Sequence, residues 1–374
     1  MVPKKHQRQR QRQYCRVTGR TKSGEGTGQA YAVFKSLRKK VTKLTDTAKG
    51  NFYSHKFNNA SSTAQTWKII KNLGICKVKP RLEQDMNVNE LNKKFLSCTV
   101  PEITDNNYLN PRFVPETVCD IRFRFLCVNP CDVLQSILRI KSDATGSDNI
   151  NPKFIKILLP KILPYITYTF NTVLTKSTYP DCWKAAKIIP IPKSNNEYRP
   201  ISILPYLSKV FENLMADQIN KFMSDNAMLT NNQSGFRKNR SCTSAIIKIA
   251  DDIREQIDEN NVTLLVLLDY SKAFDTVNHN VLCAKLRNMF MFSKSSVKLV
   301  SSYLQNRRQS VVLSSVSSSY ENVNRGVPQG SVLGPLLFTL YVNDLPNALS
   351  ECNVHLYADD VQMYVSRPLN RINE

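Results

Sequence analysis

Three aspartates stand where a carboxylate can do chemistry. Asp269 closes a continuous apolar run, residues 262–268, rich in Val and Leu and therefore read as a strand. The run reads as buried, and a carboxylate at its end is unfavourable there unless paired or bound to a cation. Asp359 and Asp360 stand side by side between two alternating segments, with Val354 and Leu356 before them and Val361, Met363 and Val365 after. That pattern predicts a hairpin with two carboxylates at its tip. Neighbouring strand residues face opposite ways, so the pair either serves different partners or reaches round one cation. Carboxylate oxygens suit Mg²⁺, which keeps waters and substrate phosphates as its other ligands. Two such ions about 4 Å apart stabilise both the attacking and the leaving oxygen of a phosphoryl transfer. The plainer alternative stays open, because strand-end aspartates often only form turns.

The intervening sequence adds groups that suit such a site. Asp269-Tyr270-Ser271-Lys272-Ala273-Phe274-Asp275 places an aromatic ring five residues after the first acid. Gly326-Val327-Pro328-Gln329-Gly330-Ser331 is a loop whose two glycines let backbone approach a ligand closely. An apolar helix is expected behind it, over residues 332–341, and free N–H groups at a helix start suit phosphate and base edges.

The elements that must position these groups lie in residues 141–374, where helical and strand patterns alternate. Leu207, Val210, Phe211, Leu214 and Phe222 mark one helix. Ile246, Ile249, Ile253 and Ile257 mark another, capped near residues 241–244. Residues 31–140 read as a polar, partly helical linker. In it Phe34, Leu37, Val41 and Leu44 alternate with Arg38, Lys39, Lys40 and Lys43 as an amphipathic basic helix. A short apolar-periodic segment follows at residues 67–73. Pro101, Pro111, Pro115 and Pro130 are expected to break regular structure. Residues 1–30, with alternating Arg and Gln from Arg8 to Arg12, read as a basic, low-complexity, disordered tail. It is either a nucleic-acid arm or nuclear address, or a solubilising extension.

Composition narrows the partners. The 374 residues carry 52 Lys and Arg against 30 Asp and Glu, a net +22. Residues 1–50 hold 14 of those bases against 2 acids, a net +12. A polyanion is implied, with nucleic acid first and an anionic membrane surface second. No apolar stretch reaches the ~18 residues that cross a bilayer, and the basic N-terminus lacks the apolar segment of a secretory signal. The ten cysteines form no CxxC pair and no zinc-type cluster, so they read as reduced thiols of a nuclear or cytoplasmic chain.

Several segments, in order, resemble the reverse transcriptases of non-LTR retrotransposons. Leu267 to Asp275 resembles the family's motif A. Arg325-Gly326-Val327-Pro328-Gln329-Gly330-Ser331, continuing to Phe338, resembles motif B. Leu356-Tyr357-Ala358-Asp359-Asp360 resembles motif C. Upstream, Ile189-Pro190-Ile191-Pro192-Lys193 with Tyr198-Arg199-Pro200-Ile201-Ser202 is similar to the fingers motif. Gln233-Ser234-Gly235-Phe236-Arg237 with Arg240-Ser241-Cys242 is similar to the one that follows. Thr145 to Ile150 resembles the extension before the fingers, and residues 37–57 and 67–74 resemble the connection from endonuclease to polymerase.

The resemblance implies an α+β right-hand polymerase with fingers and palm, its core motifs spanning residues 187–374. It implies RNA-directed DNA synthesis from dNTPs on an RNA template and a DNA primer, with two Mg²⁺ ions, Mn²⁺ being the alternative. Asp269, Asp359 and Asp360 would hold the metals. Phe274 falls at the steric gate that excludes a 2′-OH, and Gln329 falls in the nucleotide pocket. Arg199 and Lys193 match positions that hold the triphosphate, and Tyr270 and Arg237 complete the nucleotide-binding set. Each has a plainer alternative: a core ring for Phe274, a loop hydrogen bond for Gln329, a surface ion pair for Arg199. Ending at Glu374, the chain is expected to lack a thumb and to carry an incomplete palm. Its last hairpin strand is then left without a sheet neighbour. The alternative function is a catalytically dead remnant that only binds nucleic acid.

Overall fold

A computed structural model describes residues 26–60, 62–72, 87–97, 122–193, 197–314, 316–349, 351–368 and 370. The Arg/Gln run and the prolines at 101, 111 and 115 lie outside the described residues. The chain forms two compact units, residues 1–80 and 81–374. The first contains helix α1 (Gly26–Asn58) and helix α2 (Thr63–Asn72). α1 is the expected basic helix, and Val41 and Leu44 lie exposed on it beside its lysines. It starts at Gly26, so residues 26–30 of the stretch read as a disordered tail are helical.

The second unit is α+β. Its elements run α3 (Val88–Leu96), α4 (Pro130–Arg139), α5 (Pro152–Lys176), β1 (Ala185–Pro192), β2 (Tyr198–Ile203), α6 (Tyr206–Asp225), α7 (Cys242–Asp258), β3 (Asn261–Asp269), α8 (Ala273–Thr276), α9 (His279–Asn288), α10 (Lys294–Leu304), β4 (Arg307–Leu313), β5 (Val316–Ser317), β6 (Glu321–Val323), α11 (Leu333–Tyr341), α12 (Leu345–Ala348), β7 (Asn353–Tyr357) and β8 (Asp360–Pro368). Among the described residues no helix is long and apolar enough to cross a membrane.

Local chemistry accounts for the helix starts. Ser241 caps α7 and exchanges hydrogen bonds with Ser244, as the sequence predicts. Pro130 was expected to break structure, yet it opens α4. Its missing N–H falls where a helix leaves that donor unused, and Asn129 and Asp132 close a capping box around it. The core is helical. Phe170, Tyr179, Trp183, Phe211 and Tyr303 pack with ring centroids 5.1–5.9 Å apart. Burial of side chains this large contributes about 1.5–3 kcal/mol each.

Two sheets flank that core. In one, β1 pairs antiparallel with β2 and parallel with β4, and β4 also holds β5 and β6. The other is antiparallel throughout, in the order β3-β8-β7. Two expectations fail here. β3 was expected to be buried, yet Leu264 and Leu267 are 63% and 68% exposed and residues 264–269 are all open. Its continuous apolar pattern marks a strand but does not supply a cover. The last hairpin strand, expected to lack a sheet neighbour beyond its hairpin partner, is the central one. β8 runs between β7 and β3, and β3 is the edge.

Candidate active site

The antiparallel sheet gathers the three acids. The β3–β8 register sets Asp269 opposite Asp360, and directly opposed residues have Cβ atoms about 4.5–5.5 Å apart. Asp359 lies in the two-residue turn between β7 and β8, after Ala358, whose φ is +58°. Asp269 and Asp360 are exposed, and Asp359 is half-buried. Partial burial raises the Asp360 carboxyl above its ordinary range, and the charges of Asp359 and Asp269 raise it further. Among the described residues no three His, Cys, Asp or Glu side chains converge closely enough to hold a metal ion. The donor set itself fits a hard divalent cation: it is all carboxylate, and mutual repulsion is what such an ion relieves.

The turn is held from behind. Gln233 is fully buried, and its Oε1 accepts from the Ala358 N–H at 3.1 Å while its Nε2 donates to the Ala358 carbonyl at 3.3 Å. Sequence reading placed Gln233 inside a motif but gave it no role.

The loop at residues 325–331 is fastened on three sides. The Gly326 and Val327 N–H groups donate to the carbonyls of Val277 and Phe274, both at 2.8 Å. The Ser202 N–H donates to the Gln329 carbonyl at 2.7 Å, which ties the loop to β2. Gly326 has φ +79°, and a Cβ there would sit 2.7 Å from the Asp275 Cα, so only glycine fits. Behind the loop, the buried carboxylate of Glu212 accepts from the N–H groups of Val332 and Leu333 at 2.8 and 3.1 Å. That anion sits at the positive start of α11. Burial pushes its carboxyl up, and the Arg307 charge and these hydrogen bonds pull it down. Glu212 went unnoticed in the sequence. Its signal was a lone acid inside an apolar helical stripe.

Phe274 stacks on Phe338 at 4.8 Å and 22°, and meets the edge of Phe236 at 5.9 Å. Its ring is half-buried and joined to the helical core. Gln329 has a buried Oε1 with no hydrogen-bond partner, so one acceptor beside the loop is left open. Asp275, at the end of the first motif, was also overlooked. Burial pushes its carboxyl up to about 6, against the nearby Lys272 charge. It lines a crevice of about 420 Å³ with Phe95, Pro200, Gln309 and Arg325, and none of the three acids lines that crevice.

The remaining predicted residues are spread out. Arg199 and Lys193 are exposed on the β1–β2 hairpin, where the Lys193 N–H donates to the Glu197 carbonyl at 2.7 Å. Tyr270 is 42% exposed beyond β3. Arg237 donates to the carbonyls of Thr230 and Gln233, so part of its guanidinium is engaged within its own loop. Among the described residues no side-chain hydrogen bond or ion pair joins Arg199, Lys193 or Tyr270 to the acids.

Residues 191–373 match the family described as reverse transcriptase (RNA-dependent DNA polymerase). The chain is similar to the probable RNA-directed DNA polymerase from transposon BS of Drosophila melanogaster, at 33% identity over 258 residues, 64% of this chain and 28% of that protein. It is similar to the corresponding X-element polymerase of the same fly at 35% over 243 residues, 62% of this chain and 26% of that one. The polymerase of mobile element jockey is 30% identical over 209 residues, 54% and 23%. The chain thus spans about a quarter of the length of these relatives.

Proposed function

We propose that this chain, whose reverse transcriptase domain places it with the polymerases of non-LTR retrotransposons, extends the 3′-OH of a DNA primer with dNTPs on an RNA template. One observation carries the reading: β3 and β8 pair in the register that sets Asp269 against Asp360, with Asp359 one residue away in the turn. Asp269, Asp359 and Asp360 would hold two Mg²⁺ ions, or Mn²⁺, which activate the primer hydroxyl and neutralise the leaving pyrophosphate when bound. The carboxylates present a fixed negative field at the mouth of an open sheet, so the incoming charge is positioned before chemistry.

Other groups act by shape and charge. The Phe274 ring, backed by Phe338, is the face on which a ribose 2′-OH would clash. The open Gln329 acceptor addresses the nucleotide, and the exposed cations Arg199 and Lys193 meet the triphosphate. Tyr270 and Arg237 flank the same substrate. Template and primer bind through basic surface, to which the +12 of residues 1–50 contributes. The proposed setting is nuclear, cytoplasmic or both.

Primer extension with Mg²⁺ on an RNA–DNA hybrid tests the reading. Incorporation of dNTPs by the chain, lost in Asp359→Asn, is the expected result. Binding without incorporation selects the second reading, a nucleic-acid binder without turnover. That reading draws on the net charge of +22, which holds a polyanion with or without turnover.

A further inference from the structure

The turn that carries Asp359 is gripped by a side chain far away in sequence. Gln233 is 0% exposed. Its Oε1 accepts two backbone N–H bonds, from Gly235 at 2.7 Å and from Ala358 at 3.1 Å. Its Nε2 donates to the Ala358 carbonyl at 3.3 Å. The amide orientation is not arbitrary, because the reverse would set an NH₂ group against two N–H donors. One side chain therefore satisfies both backbone polar groups of the residue that precedes Asp359.

Three further observations point the same way. The loop backbone joins the hairpin directly: the Ser234 N–H donates to the Leu356 carbonyl and the Leu356 N–H to the Asn232 carbonyl, both at 2.8 Å. A Cβ on Gly235 would lie 2.0 Å from the Ala358 nitrogen, so loop and turn are in contact without space for a methyl group. Ala358 has φ +58°, a left-handed conformation that is unfavourable for a residue with a Cβ. Such a backbone persists where its surroundings over-determine it, and here Gln233 does so from both sides of the residue.

We propose that Gln233 is a positioning residue: it locks the Ala358 backbone and so sets the direction in which Asp359 and Asp360 leave the turn. In an isolated hairpin the polar groups of a turn face water and the tip rocks. In this chain they are bonded to a buried amide, and the two carboxylates inherit its rigidity. A misplacement of about 1 Å lowers a rate by roughly 10²-fold when charges must meet in a fixed geometry. The inference rests on the reading of these acids as metal ligands.

Hydrogen exchange of the full chain, read by mass spectrometry over residues 353–362, tests the lock without substrate. The wild-type Ala358 amide should exchange at least about 100-fold more slowly than in an unstructured peptide, since opening requires breaking the Gln233 bond. Gln233→Met keeps the volume and removes all three side-chain bonds, and Gly235→Ala pushes loop and turn apart. Each should raise exchange in residues 353–362 about tenfold while α4 to α6 keep their protection. Mn²⁺ affinity, read from the paramagnetic resonance of the free ion, should fall in the same variants. An unprotected Ala358 amide in the wild type, or unchanged exchange in both variants, overturns the proposal. Asp359→Asn separates the two layers. If it leaves Mn²⁺ binding and incorporation at the wild-type level, the carboxylate assignment fails, and the exchange result still decides the lock.

Discussion

The helical core and the antiparallel sheet of the second unit draw on similar residues and end in opposite environments. Phe211, Val210 and Leu214 of α6 are buried among other helices. Leu264, Leu265 and Leu267 of β3, just as apolar, are exposed. The core gathers buried side chains from α4, α5, α6, α10 and α11, whereas β3 has β8 on one edge, α7 in contact with it, and, among the described residues, no strand on its other edge. Stability and candidate chemistry are thereby separated: the acids sit on the open sheet, and single buried polar side chains fasten the segments around them. Glu212 anchors the start of α11, and Gln233 anchors the β7–β8 turn.

That contrast can be broken or sharpened by experiment. The largest expected effect lies on the sheet. Asp359→Asn should lower incorporation by about three orders of magnitude. The melting temperature should hold or rise, because Asp360 loses a like-charged neighbour. Single-turnover extension beside a thermal melt measures both, and undiminished incorporation would remove the acid from the site. In the core, Phe211→Ala should lower unfolding free energy by about 3–5 kcal/mol through loss of buried area and the cavity left behind. Urea denaturation reads it, and a change below about 1 kcal/mol would mean that the core is looser than its packing indicates.

Asp275 follows β3 in sequence and lines the crevice beside the 325–331 loop. Its carboxyl is pushed up to about 6 in the folded chain, above the unfolded value near 3.9. The folded state then binds more protons than the unfolded one between those values. Its contribution to stability is present below about pH 4 and is lost as pH rises through 6. Asp275→Asn should therefore gain stability over the parent by up to about 3 kcal/mol above pH 6 and little below pH 4. Parallel pH melts of the two proteins test the sign.

Phe274 belongs to both regions, a candidate sugar gate whose ring is stacked on core Phe338. Phe274→Val should raise the ratio of rNTP to dNTP use about tenfold with modest loss of stability. An unchanged ratio with normal activity would place the gate elsewhere. The smallest effect belongs to the exposed face of β3. Leu267→Lys should change stability by no more than about 0.5 kcal/mol, in contrast to the same change at any core position. A larger loss would show that β3 is covered in solution.

Much of this was legible in the chain itself, because it depends on near neighbours. Alternation around Ala358-Asp359-Asp360 encoded the hairpin, the Ser241 cap encoded the start of α7, and the apolar run before Asp269 encoded a strand ending in an acid. The motif spacing likewise placed the acids, Phe274 and Gln329 in their segments. Pro130 was misread because the same ring that stops a helix from within can start one.

What lies between those segments needed the folded chain. A period-two or period-3.6 pattern states which face is apolar and says nothing of what covers it, so β3 read as buried although it forms an edge. No local pattern could choose β8 over β7 as its neighbour, and that choice alone sets Asp269 opposite Asp360. Nor could it pair Gln233 with Ala358, 125 residues on, or Glu212 with the Val332 N–H, 120 residues on. A buried amide or carboxylate accepts any backbone donor that the fold brings within reach. Residue type therefore determines that a partner is needed, and only the three-dimensional path of the chain determines which one it is.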